Sequence, residues 1–267
     1  MIFKDINDKA NLKSPIENNF DSPEFLRAYI EEHNIADKKD VFIDDTDGLV
    51  VNVNGNVNFG KLHLTKIPFK FGKIVGSFSA PKTGLITLEN GPDMVGGNFD
   101  VDSNNLNSLQ YCPKFVGGAM DVSNNDITHI DFLPSEIGKK LKSNEGQPSW
   151  AKAAFTIEPS LKLFGNNIKS FHMIHKKLKF TRKISIDNYQ VKNRISNKYG
   201  YSDIYDAVVP TNLLGFLFID GLVYIECGGG ISREPFDIIN EQLLGNRDVH
   251  KCQEDLLEAG YPEQAKF

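Results

Sequence analysis

The chain has 267 residues, 40% of them hydrophobic and 24% charged, with a formal net charge of -5. These totals suit a globular chain with ample core, and the mild acidity argues against bulk nucleic-acid binding while leaving room for a local basic patch. Three scattered cysteines, Cys112, Cys227 and Cys252, lack metal-ligand spacing and fit a reducing compartment. The opening MIFKDINDKANLK has no apolar run of signal-peptide length. The longest apolar run, Leu213 to Cys227, is broken by Gly215 and by Asp220-Gly221, so it is too interrupted to span a bilayer. A soluble, cytosolic protein is expected.

In chain order, SPEFLRAYIEEHN reads as a helix with Ser22 as N-cap, Pro23 in the first turn, and Phe25, Leu26, Tyr29 and Ile30 on one apolar face. VNVNGNVNF alternates around Asn54-Gly55, a hairpin signal. Then a repeat begins. Segments starting at Ser77, Asn98 and Ala119 align without a gap at a spacing of 21 residues. Their frame is apolar-x-apolar-x-x-N-x-apolar-x-x-apolar, filled by Phe99, Val101, Asn104, Leu106 and Leu109, then by Met120, Val122, Asn125, Ile127 and Ile130. The Ser77 copy has Phe78, Ala80, Leu85 and Leu88, with Thr83 at the Asn position. Upstream, Val57, Phe59, Leu64 and Ile67 continue it; downstream, Leu161, Leu163, Asn166, Ile168 and Phe171 repeat it in full. Leu141 to Ser160, with Trp150, reads as a degenerate copy, and Ile184, Ile186, Tyr189 and Val191 as a last worn one.

The apolar-x-apolar step predicts a short strand, and strands of successive units stack as a parallel sheet. The Asn turns its amide inward to pair backbone groups where the chain leaves the sheet. Pro92, Pro113 and Pro134, followed by Gly96-Gly97 or Gly117-Gly118, suit the return turn. No unit buries its core alone, so the stack needs neighbours and capped ends. Beyond it, LLGFLFIDGLVYIE reads as a buried hairpin around Asp220-Gly221, followed by helices over Pro235 to Leu244 and Asp248 to Ala259. The fold class is therefore an α/β-type solenoid of leucine-rich-repeat-like units. It divides into an N-terminal cap (1-54), the solenoid (55-192) and a C-terminal α+β cap or module (193-267).

SNNLNSLQYCPKFVGG resembles the tandem repeats of leucine-rich-repeat-like proteins of large tailed bacteriophages, and the tail GNRDVHKCQEDLLEAGYPEQAKF is similar to the ends of such proteins. The resemblance covers residues 77-139 best. It implies a protein acting in the cytoplasm of an infected bacterium. Lys82-Thr83-Gly84 before Leu85 and the broken unit after Leu141 depart from the pattern.

Outward positions around each strand line one face. Those singled out as a binding surface are Asp100, Asp102, Asp121, Lys162, Phe164, Lys183 and Asp187. Asp100 and Asp121 fall in register, roughly 5 Å apart, and invite a basic partner or a cation unless they are merely solvated. From Lys176 the balance reverses: Lys176, Lys177, Lys179, Arg182, Lys183, Lys192, Arg194 and Lys198 form a basic stretch that fits nucleic acid, an acidic protein or a solvated turn. Catalytic signals are weak. Cys227 and His250 make a thiol-imidazole pair conceivable, but Cys227 ends an apolar strand, Cys252 lies on a helix's apolar stripe and Cys112 fills a core slot. His172 and His175 have no third metal ligand nearby, and Gly228-Gly229-Gly230 lacks the Lys-Ser/Thr of a P-loop. The leading expectation is a non-enzymatic protein-binding factor without cofactor or metal. By resemblance it is a phage accessory protein that engages or inhibits a host protein. A nucleic-acid-associated protein comes second, and a small cysteine-dependent enzyme in the C-terminal module third.

Overall fold

Each copy of the 21-residue frame winds one coil of a parallel β-solenoid, as the 21-residue offset of its inter-coil hydrogen bonds records. The computed structural model describes residues 20, 22–46, 48–139, 160–186, 189–197, 200–207, 209–228 and 234–267. Its elements are α1 (Pro23–Glu32), β1 (Val41–Asp44), β2 (Val50–Val53), β3 (Val57–Asn58), β4 (Lys70–Ile74), β5 (Phe78–Ser79), β6 (Met94–Val95), β7 (Phe99–Asp100), β8 (Phe115–Val116), β9 (Met120–Asp121), β10 (Glu136–Ile137) and β11 (Leu161–Lys162). Then come α2 (Ile174–Lys177), β12 (Lys183–Ile186), β13 (Tyr189–Asn197), β14 (Gly200–Ala207), β15 (Tyr224–Cys227), α3 (Glu234–Leu244) and α4 (Val249–Glu258).

The apolar-x-apolar steps form a seven-stranded parallel sheet in the order β15-β12-β11-β9-β7-β5-β3. Phe78, Phe99, Met120, Leu161, Ile184 and Ile225 stack in register on its inner side, each 1% exposed or less. Full burial of such a side chain stabilises by about 1.5–3 kcal/mol, which is why strands only two residues long suffice. A second sheet, β1-β2-β4-β6-β8-β10, closes the coil from another side and places Ile74, Val95, Val116 and Ile137 inward. The sequence reading had only a return turn there.

Two corners hold the coils in register. At one, Asn104 Oδ1 accepts from the N–H groups of Thr83, Gly84 and Leu85 (3.2, 2.9 and 3.0 Å). Its Nδ2 donates to Ala80 O and Val101 O at 2.8 and 2.9 Å. Asn125 and Asn166 repeat the pattern one coil on each time, reaching Leu106 N and Ile127 N through Oδ1 and Val101 O and Val122 O through Nδ2. The preceding residue at this corner is left-handed in each coil: Lys82, Ser103, Asn124 and Gly165 have φ of 56, 55, 52 and 69°. At the other corner Gly76 N–H donates to Gly55 O, Gly97 N–H to Gly76 O and Gly118 N–H to Gly97 O (3.0, 2.8 and 2.8 Å). A Cβ on Gly97 would lie 2.9 Å from the Gly76 carbonyl, so the stack admits no side chain.

Three sequence readings are corrected, and a fourth lies outside the described residues. Asn54-Gly55 is not a hairpin turn, because the chain passes there from β2 in one sheet to β3 in the other; the antiparallel pair is β1 with β2. LLGFLFIDGLVYIE is not a hairpin either: Leu214–Phe218 is a 3-10 helix, and β15 runs parallel to β12 as a further coil. Tyr189 and Val191 do not continue the frame but open an antiparallel hairpin, β13-β14, placed where the Asn corner stands in other coils. The proposed copy over Leu141 to Ser160 lies outside the described residues except for Ser160. Met120 pairs directly with Leu161.

Both ends are capped. Leu26 and Ile30 of α1 pack on the first coil while Phe25 is 52% exposed, and Ser22 Oγ accepts from Phe25 N–H at 3.2 Å. The edge strand β3 is met by Asn58 N–H donating to Ile35 O at 2.8 Å. At the far end Asn240 of α3 reads both polar groups of Ile225, accepting from its N–H at 2.8 Å and donating to its carbonyl at 2.9 Å. The Arg247 guanidinium binds the carbonyls of Leu217, Ile219 and Leu222 at 2.9, 3.0 and 2.6 Å. Asp248 caps α4 by accepting from Lys251 N–H at 3.0 Å.

Candidate binding face

Inward and outward side chains alternate along a strand, so the register that stacks Phe99 on Met120 also aligns their successors on the outer side. Ser79, Asp100, Asp121, Lys162, Ser185 and Glu226 form one continuous polar row across the seven-stranded sheet. Asp100 is directly paired with Asp121, as the spacing required. Each carboxylate also makes a local turn: Asp100 Oδ1 accepts from Asp102 N–H at 3.0 Å, and Asp121 Oδ1 from Ser123 N–H at 3.1 Å. Asp102 accepts from Ser103 Oγ and from Asn124 Nδ2 at 2.9 Å each. Lys162 Nζ lies 3.4 Å from Asp121. Burial holds the Asp100 carboxyl above the usual carboxylate range and the charges of Asp121 and Asp102 add to this, against the Asp102 N–H and Lys162. The middle of the row is a half-sunk acidic notch with one lysine at its side.

Of the other residues expected here, Phe164 is 45% exposed at the rim. Lys183 lies on the outer side but is not open to solvent. It is 3% exposed, covered by the Tyr224 ring 5.8 Å away and paired with Glu226 at 3.4 Å. The cover comes from β15, which the sequence reading had folded elsewhere. Asp187 lies outside the described residues.

The basic stretch is divided among several elements. Lys176 and Lys177 belong to α2, with Lys177 3.6 Å from Asp131. Lys179 Nζ donates to His175 O at 3.2 Å, and Arg182 Nε is buried with no hydrogen-bond partner among the described residues. Lys192 and Arg194 lie in β13, and Lys198 is outside the described residues.

Of the catalytic candidates, Cys227 is the last residue of β15, next to Glu226 of the polar row. Burial pushes the Cys112 thiol up, and that of Cys252 up to about 12, which disfavours the thiolate in both. His250 is exposed in the first turn of α4. His172 Nδ1 is 2.8 Å from Phe267 O, while the His175 ring packs against Phe218 and Phe267. Among the described residues no three His, Cys, Asp or Glu side chains converge as a metal site, and no helix is long and apolar enough to cross a membrane.

A second surface went unseen in the sequence. On the outer side of the six-stranded sheet, Phe42, Val75 and Met94 are 51, 45 and 41% exposed, with Phe115 and Phe180 half-buried beside them. The signal was Met94-Val95 and Phe115-Val116 at the repeat spacing, too short to show alternation.

The fold and this face define a parallel β-solenoid compatible with leucine-rich-repeat-like architecture. No protein-family model, curated protein or solved structure matches the chain.

Proposed function

We propose that the chain is a non-enzymatic protein-binding scaffold whose contact surface is the outer side of the seven-stranded sheet. The observation that carries this reading is the in-register polar row, with Asp100 and Asp121 paired at its centre and Phe164 at its rim. A rigid sheet holds these groups in place without cost in side-chain ordering, and an acidic notch favours encounter with a basic protein surface. The likeness of SNNLNSLQYCPKFVGG to phage repeats supports a bacterial host protein as partner and the infected cell's cytoplasm as the place of action. Inhibition of that protein is the simplest outcome of covering its surface.

The nucleic-acid reading draws less support, because Lys183 is buried and Lys177 is ion-paired. Immobilised protein exposed to bacterial lysate, with and without nuclease, separates the two. A protein retained after nuclease, and lost when Asp100, Asp102 and Asp121 are all replaced by Asn, supports the scaffold. Bound material that disappears with nuclease transfers the function to the basic stretch.

A further inference from the structure

The outer side of the six-stranded sheet is a separate surface with its own pattern. Pairing aligns Lys73 with Met94, Met94 with Phe115, Phe115 with Glu136, Glu136 with Phe180, and Phe180 with Asp220. Their inward neighbours Ile74, Val95, Val116 and Ile137 are fully buried, so the row faces out. Beyond Phe42 and Asn52 of β1 and β2 the row is basic at Lys73, apolar over Met94 and Phe115, and acidic at Glu136 and Asp220 on either side of Phe180. Lys139 sits over the Phe180 ring at 5.7 Å and pairs with Glu136. Lys73 and Asp220 are exposed and have no ion-pair partner among the described residues.

The geometry points to a second copy of this chain as the occupant of that face, packed sheet on sheet about a two-fold axis between Phe115 and Glu136. A two-fold interface is isologous: if one residue meets a second, the second meets the first. Reversing the row on itself sets Lys73 against Asp220 of the other copy, and Met94 against Phe180. Phe115 then meets the Glu136–Lys139 pair. Both charges gain opposite partners, twice per dimer, and Met94 and Phe180 cover each other. This register matches both exposed charges at once. A parallel overlay would oppose Lys73 to Lys73 and Asp220 to Asp220, which is unfavourable.

Six coil levels at about 4.8 Å make a face roughly 25–30 Å long, at the low end of what specific pairs bury, so the dimer should be weak and concentration-dependent. The polar row on the seven-stranded sheet stays open in both copies. The proposed protein-binding role is therefore independent of this dimer and would gain valency from it.

Sedimentation equilibrium of the full chain over a wide concentration range tests the proposal. The expected result is a reversible monomer–dimer equilibrium. Lys73→Asp or Asp220→Lys alone should raise its Kd about tenfold, because each breaks two symmetry-related pairs and adds repulsion. The combination Lys73→Asp with Asp220→Lys should restore it, since the ends match again with signs exchanged. Met94→Asp should abolish dimers while thermal unfolding stays cooperative. A monomer at every concentration overturns the proposal, and so does a dimer indifferent to the single charge reversals or unrescued by the double one.

Discussion

The two corners of the coil solve one problem by different means. Where the chain leaves the seven-stranded sheet, buried backbone is paired by a side chain: Asn104, Asn125 and Asn166 each reach both their own coil and the one before. Where it enters that sheet, glycine backbone pairs with glycine backbone, and Gly55, Gly76, Gly97 and Gly118 keep the coils close by having no side chain, while Asn56, Ser77 and Asn98 beside them accept from the next coil's N–H. The Asn corner can tolerate an insertion, as the β13-β14 hairpin at that place in the β12 coil demonstrates. The Gly corner depends on contact at van der Waals distance over the coils from Gly55 to Gly118.

That contrast orders the expected effects of substitution. Gly97→Val should be the most damaging, at about 3 kcal/mol or more, because the side chain meets the Gly76 carbonyl as well as Ser77 Oγ, and the carbonyl cannot swing aside. Asn104→Leu should cost about 1–3 kcal/mol by stranding buried donors and acceptors, while Asn105→Leu, at an exposed neighbour, should change stability by about 0.5 kcal/mol or less. Chemical denaturation midpoints measure all three. Equal losses at Asn104 and Asn105 would mean that the ladder does not hold the corner. Asn240→Leu should cost about 1–3 kcal/mol and free the edge of β15, so light scattering should also report slow association.

The smallest effect sits on the open face. Burial raises the Asp100 carboxyl, so its ionisation opposes folding. The penalty is absent at low pH, where the group is protonated in both states, grows as pH rises past the unfolded carboxylate range, and is complete above the folded value. Asp100→Asn keeps the acceptor for Asp102 N–H and removes the charge. It should leave the melting temperature unchanged at low pH and raise it slightly near neutrality. A gain that is largest in acid would reverse the sign and contradict the account.

Sequence alone revealed the coil because its repeat is strict where burial and backbone pairing both act. Phe99, Val101, Asn104 and Leu106 each do something that few other residues can do at that place. The second sheet stayed hidden because each coil contributes only a pair such as Met94-Val95, shorter than any alternation can show. The last coil was concealed by the hairpin inserted after Ile186, which carries Ile225 about two periods beyond Ile184 and leaves Asp220-Gly221 looking like a turn between two strands. Asp100 and Asp121 were legible as neighbours because register follows from spacing. The burial of Lys183 was not, because it depends on Tyr224 from a strand misplaced by that same insertion.

The central claim, that the acidic row of the seven-stranded sheet is the contact surface for a protein, is tested most directly by association kinetics on the captured partner. Rates for the native chain are compared, across ionic strength, with those of the variant carrying Asp100→Asn, Asp102→Asn and Asp121→Asn. The account predicts a markedly slower on-rate with a flattened salt dependence and an unchanged fold by circular dichroism. An on-rate indifferent to the three substitutions, yet lost when Lys176, Lys179 and Arg194 are replaced by Glu, would contradict it.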